Sequence, residues 1–182
     1  MLEQLWNGWR AEYVRTSTAS MTGLGVPTGA DERSVFTRIL ASGLDDIETH
    51  IVHRGPTCFA ILNAFPYSTG HLLVLPYREV DRLDLLTRSE TIELWTTVTD
   101  AVTALGRSHA PEGFNVGINL QRPAGGSIAR HLHVHVVPRW TGDSNFMTTV
   151  ADTRTLPEAL SDTASRVRDA WPTPSASPSL DE

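Results

Sequence analysis

The sequence contains no lysine, and all fifteen of its basic residues are arginines. A Schiff-base lysine and the lysine of a P-loop are thereby excluded, so any bound phosphate must be held by arginine, histidine or backbone N–H groups. Cysteine is nearly as scarce. Cys58 stands alone, which rules out an intrachain disulfide and a cysteine-rich zinc site and leaves it the part of a small buried hydrophobe. No apolar run approaches the roughly 20 residues that cross a bilayer, and Met1-Leu2-Glu3-Gln4 lacks the basic start of a secretory signal. A cytoplasmic protein without membrane attachment is expected. Positive charge is also in deficit: a net charge of −6 opposes the clustered cations that grip DNA or RNA, so no nucleic-acid polymer is expected as a partner.

What is present suffices for one core. Spread over 182 residues, 40% hydrophobic content would leave two separate domains marginal. Residues 2 to 15 place Leu2, Leu5, Trp6, Trp9 and Tyr13 at helical spacing, predicting an N-terminal helix. Thr16 to Asp31 is rich in Gly, Ser and Thr and reads as a flexible loop. Ser34 to Ser42 predicts a short helix stopped by Gly43. Five strands follow from β-branched and apolar runs: Ile51 to Arg54, Thr57 to Leu62, His71 to Leu75, Phe114 to Leu120 and His131 to Val137. Gly55-Pro56 and the segment from Asn63 to Gly70 should turn the first three into an antiparallel meander. Ser89 to Arg107 carries apolar residues, Ile92 and Trp95 among them, near a 3.6-residue period. A long helix covering one sheet face is predicted there, with Thr87 or Ser89 as its cap. Leu156, Leu160 and Val167 mark a C-terminal helix, and the proline-rich stretch from 172 to 182 is expected to be a disordered tail. The resulting division is 1–31, helix and loop; 32–171, catalytic domain; 172–182, tail.

Three of the seven histidines fall within five residues, in Arg130-His-Leu-His-Val-His-Val-Val-Pro-Arg-Trp140. On a strand, alternate side chains share a face. His131, His133 and His135 should therefore line one side while Leu132, Val134 and Val136 enter a core. Imidazole titrates between pH 5 and 8, which suits the row to nucleophilic or acid–base work. Zinc is the competing reading, since three histidines hold it in some catalytic sites. His50, His53 and His109 lack any such motif and are expected on the surface or in loops, and Trp95 is expected in the core.

The order Asn63-x2-Pro66-x3-Gly70-His71, a covering helix, Phe114-Asn-Val-Gly-Ile-Asn119, Gly125-Gly126-Ser127 and the histidine row closely resembles the histidine triad superfamily. The resemblance covers roughly residues 50 to 148. Within the superfamily, the Gly-Gly-Ser loop and Pro138-Arg139-Trp140 resemble the dinucleoside tetraphosphate phosphorylase branch, whereas many hydrolytic members have Gln where Ser127 stands. The resemblance implies an α+β fold with an antiparallel sheet of about five strands, and a homodimer or dimer of dimers. It implies nucleotidyl transfer through a covalent nucleotidyl-histidine, with His133 as nucleophile, His135 as donor to the phosphate, and His131 and His71 orienting the other rings. Asn63, Asn119, Gly126 and Ser127 would bind substrate, the amides at 126 and 127 forming an anion nest. The expected partners are a dinucleoside polyphosphate and inorganic phosphate, converted to ATP and ADP. No protein-bound metal or cofactor is required, although Mg²⁺ can accompany the polyphosphate. Hydrolysis of dinucleoside polyphosphates or nucleoside phosphoramidates is one alternative, and a nucleotide-binding module with little turnover is another.

Overall fold

A computed structural model describes residues 33–126, 128–143 and 158–173. The predicted N-terminal helix and loop, Ser127 and the tail beyond 173 lie outside the described residues.

Strands β1 (Ile51–Arg54), β2 (Cys58–Leu62) and β3 (Leu72–Pro76) form the expected antiparallel meander. The sheet then closes out of sequence order. β5 (Val134–Arg139) inserts antiparallel between β3 and the edge strand β4 (Gly113–Ile118), giving the order β1-β2-β3-β5-β4. Every residue of β2 and β3 is buried, because the sheet is covered on both faces. Cys58, Ala60, Leu62, Leu72, Val74, Val134 and Val136 pack on one side against Leu94, Val98, Ala101 and Leu105 of helix α3 (Arg88–His109) and Val167 of helix α4 (Leu160–Ala170). Phe59, Ile61, Leu73 and Leu75 face the other way, against Val35, Phe36 and Ile39 of helix α1 (Val35–Leu40).

Local chemistry accounts for the helix ends. Thr87 caps α3 through a capping box with Glu90, and Ala110 in the left-handed region closes it. The four-residue helix α2 (Asp46–Thr49) carries a second capping box between Asp45 and Glu48. The sequence reading missed it. Trp95, expected in the core, is 45% exposed, and Ile92 lies outside with it, because the buried face of α3 runs through residues 94, 98, 101 and 105. His109 reverses its expectation in the other direction. Its buried side chain lies at the end of α3, with Nε2 3.0 Å from Glu158 just ahead of α4, so a charge partner draws it inward. His53 lies on β1, its ring stacked on Trp171 at 4.7 Å. Among the described residues no helix is long and apolar enough to cross a membrane.

The predicted fifth strand needs a correction at its start. β5 begins at Val134, so His131 and His133 precede it. Their segment finds its hydrogen bonds outside the ladder: Leu132 N–H donates to Val80 O at 2.6 Å, and His131 N–H to Ile128 O at 3.4 Å. The alternation nevertheless survives. Leu132 joins the α3 cluster, while His131 and His133 both lie against Phe36 of α1, each with ring centroids 5.6 Å away.

Candidate active site

Proton positions in this cluster follow from its partners, because a carbonyl only accepts and a backbone N–H only donates. The ring of His133, 6% exposed, has Nδ1 2.8 Å from His131 O. Nδ1 therefore carries the proton. Burial pushes the pKa of His133 down, opposed by its backbone bond, and the neighbouring His131 lowers it further. The neutral ring that results holds a lone pair at Nε2, and nothing among the described residues donates to it.

The fully buried His71 fixes His135 by the same logic. Tyr67 N–H reaches His71 Nδ1 at 3.1 Å and the Asn63 amide reaches it at 3.3 Å, so Nδ1 is an acceptor and the proton sits on Nε2. That proton meets His135 Nδ1 at 2.9 Å. His135 must then carry its own proton on Nε2; Asn119 Nδ2 lies 3.4 Å away, and the amide accepts this N–H once turned to present its oxygen. The two rings, 4.9 Å apart, thus offer opposite functions, a lone pair on His133 and an N–H on His135. Tyr67 stacks over His135 at 5.9 Å with the planes 17° apart.

His131 lies behind them with no exposure. Its Nε2–H donates to Pro76 O at 2.8 Å and its Nδ1 lies 2.7 Å from Ser34 Oγ. Both nitrogens are committed, so His131 is not available as the third ligand of a three-histidine zinc site. Among the described residues no group of three or more His, Cys, Asp or Glu side chains is arranged to hold a metal ion.

Four of the sequence-predicted histidines, 71, 131, 133 and 135, are thus brought together, with Asn63 and Asn119 beside them. The substrate contacts are less direct than the sequence suggests. Asn63 uses its amide on His71 and on Phe65 N–H, the latter at 3.0 Å. Gly126 donates to Gln121 O at 3.3 Å, which turns that amide away from the expected anion nest. A Cβ at Gly126 would stand 3.0 Å from Gln121 O and 3.1 Å from Asn119 O, so glycine is required there by the chain's own close approach. Sequence reasoning missed Ser34, Glu79 and Tyr67. Tyr67 was the readable one, four residues before His71 within the loop already singled out, whereas Ser34 and His131 are 97 residues apart.

The architecture is that of histidine triad proteins. The solved structure of a Hit-like protein from Bartonella henselae superposes with a TM-score of 0.64 at 20% identity, covering 79% of this chain and 99% of that one. The HIT domain family model matches residues 45–142, and the chain belongs to the HIT domain family. Over 170 residues it is 40% identical to the AP-4-A phosphorylase of Mycobacterium tuberculosis, spanning 93% of this chain and 85% of that one. It is also 33% identical, over 53% of each chain, to the asymmetrical bis(5'-nucleosyl)-tetraphosphatase of Schizosaccharomyces pombe.

Proposed function

We propose that the protein is an enzyme that cleaves diadenosine tetraphosphate by phosphorolysis, in the HIT-like catalytic domain spanning residues 32–171. One observation carries the reading: Nδ1–H of His133 is tied to His131 O, which leaves the Nε2 lone pair as the nucleophile. That nitrogen attacks the α-phosphorus, a P–N bond forms, and the bond from phosphorus to the bridging oxygen breaks, expelling ATP. The N–H of His135 donates to the phosphate oxygens as charge develops. An oxygen of inorganic phosphate then attacks the adenylyl-histidine, releasing ADP and restoring the free imidazole. The intermediate divides one hard displacement into two easier ones.

His131 and His71 orient the reacting rings, while Asn119, Asn63 and Ser127 form the substrate-binding set and Gly126 lets the loop backbone pass close to Asn119 and Gln121. That Ser127, a short hydroxyl residue, stands where many hydrolytic members of the superfamily have Gln supports phosphate as the acceptor. Sequence similarity to an AP-4-A phosphorylase over most of both chains supports the same choice. The chemistry needs no redox cofactor or protein-bound metal, and Mg²⁺ enters with the polyphosphate. The working form is a cytoplasmic homodimer or dimer of dimers.

Hydrolysis, with water as the second acceptor, is the competing reading, supported by the similarity to a tetraphosphatase. Incubating diadenosine tetraphosphate with and without inorganic phosphate separates the two. Phosphorolysis yields ADP only when phosphate is present. AMP in both incubations establishes hydrolysis instead, and tight binding without product establishes a binding module.

A further inference from the structure

Ser34 sits at the N-terminus of α1, 6% exposed, and its hydroxyl faces two ways. Its oxygen accepts Thr37 N–H at 3.1 Å, capping the helix. The hydroxyl proton goes elsewhere. His131 Nε2–H is committed to Pro76 O, so Nδ1 of the neutral ring is a bare acceptor, and the Ser34 hydroxyl donates to it at 2.7 Å in preference to Thr37 Oγ1 at 3.0 Å. Glu79 holds this corner in place, its Oε2 accepting Ser34 N–H at 2.9 Å and the Thr37 hydroxyl at 2.8 Å.

The consequence reaches His133 through one carbonyl. His131 O is the acceptor that keeps the His133 proton on Nδ1, and among the described residues the His131 ring nitrogens bond only to Ser34 and Pro76. We infer that Ser34 is a positioning residue for nucleotidyl transfer: its hydroxyl proton holds His131 as the neutral Nε2–H tautomer and thereby holds the His133 lone pair toward the substrate. The inference rests on the reading of His133 as nucleophile.

Charge makes the proton matter. Around His131 stand Ser34 and Phe36 from α1, Pro76 O from the end of β3, Glu79 from the loop beyond it, Arg130 at 3.7 Å from Glu79, and His133. Burial holds the pKa of His131 down and keeps the ring neutral, while its bond to Pro76 O and the carboxylate of Glu79 pull it upward. Without a donor at Nδ1, that nitrogen is satisfied by taking up a proton, and a cation beside His133 weakens it as a nucleophile. Ser34 therefore keeps a charge out of the site.

Three substitutions separate this role from helix capping. Ser34→Thr retains both the cap and the donor. Ser34→Ala loses both. Ser34→Asp retains the cap, since Asp is among the best N-cap residues, but offers no proton and stabilises a charged His131. Single-turnover formation of the adenylyl adduct from diadenosine tetraphosphate is measured across pH. Ser34→Ala is expected to slow it roughly 10- to 100-fold, up to the loss that a 1 Å misplacement can cause. Ser34→Thr should stay within about threefold of wild type, under 1 kcal/mol of barrier. Ser34→Asp should be as slow as Ser34→Ala near neutrality and recover only as pH rises and His131 loses its proton.

A fast Ser34→Asp beside a slow Ser34→Ala reduces Ser34 to a cap and overturns the inference, as does a Ser34→Ala protein equal to wild type. If Ser34→Thr does not fold, the Ala and Asp variants still decide. Ring-nitrogen NMR of His131 distinguishes a failed relay from a failed reading of the reaction. The relay requires a bare Nδ1 in the wild type and a protonated one in Ser34→Asp, with or without turnover, and a protonated wild-type Nδ1 overturns it. A wild type that shows the expected tautomer but forms no adduct overturns the nucleotidyl-transfer reading on which the inference rests.

Discussion

His71 and His135, 64 residues apart in sequence, share one proton between Nε2 and Nδ1 at 2.9 Å. The direction of that bond is set from behind, because Tyr67 N–H already occupies the far side of His71. His135 is thereby fixed as a donor while His133, beside it, is fixed as an acceptor. The proposed chemistry needs both.

Removing the donor should slow the reaction without removing the nucleophile. His135→Ala is expected to lower the single-turnover rate roughly 10²- to 10⁴-fold, the usual contribution of a positioned proton donor. Adduct should still form, slowly. Rapid-quench measurement checks this, and an unchanged rate removes His135 from the mechanism.

Gly70, immediately before His71, has φ +80, and a Cβ there would meet Leu105 Cδ2 at 2.8 Å and Pro138 Cγ at 3.3 Å. Gly70→Ala therefore combines backbone strain with overpacking and should cost about 1–3 kcal/mol from either source. Urea denaturation measures it. Because the same turn carries Tyr67 and His71, the rate should fall with stability.

Glu90 gives the fold an acid-sensitive point. The bonds from the Arg78 guanidinium, at 3.0 and 2.7 Å, and then those from Thr87 hold its carboxyl well below its ordinary 4.5, at about 2, against the opposing effect of burial. A depressed folded pKa contributes stability above the unfolded value that is lost as pH falls through the folded one. Thermal melts should therefore show a loss of stability between about pH 4.5 and 2 that is smaller in Glu90→Gln. Equal slopes for the two proteins would contradict this account of Glu90.

Much of this was legible from residue pattern. The five strands, the meander and the long helix capped by Thr87 follow from local periodicity and turn residues, whereas the meeting of His71 with the histidine row follows from the resemblance to the histidine triad superfamily. The start of β5 did not, because the backbone N–H groups of His131 and Leu132 bond to Ile128 and Val80, contacts that no alternation of side chains reveals. Glu79 and Ser34 were invisible for a related reason: they act on His131 across long sequence separations, and Ser34 carries only the signature of a helix cap. The Gly126 amide was misread because the glycine serves the loop's own backbone. Helix α2, by contrast, was readable in Asp45-x-x-Glu48, and its short length concealed it.

The most direct measurement is mass spectrometry of the protein quenched during turnover of diadenosine tetraphosphate. The account predicts one acid-labile adenylyl group on the peptide containing His131 to His135 in the wild type, and none in a folded His133→Ala protein. An adduct that persists in His133→Ala, or turnover by that variant at the wild-type rate, would contradict it.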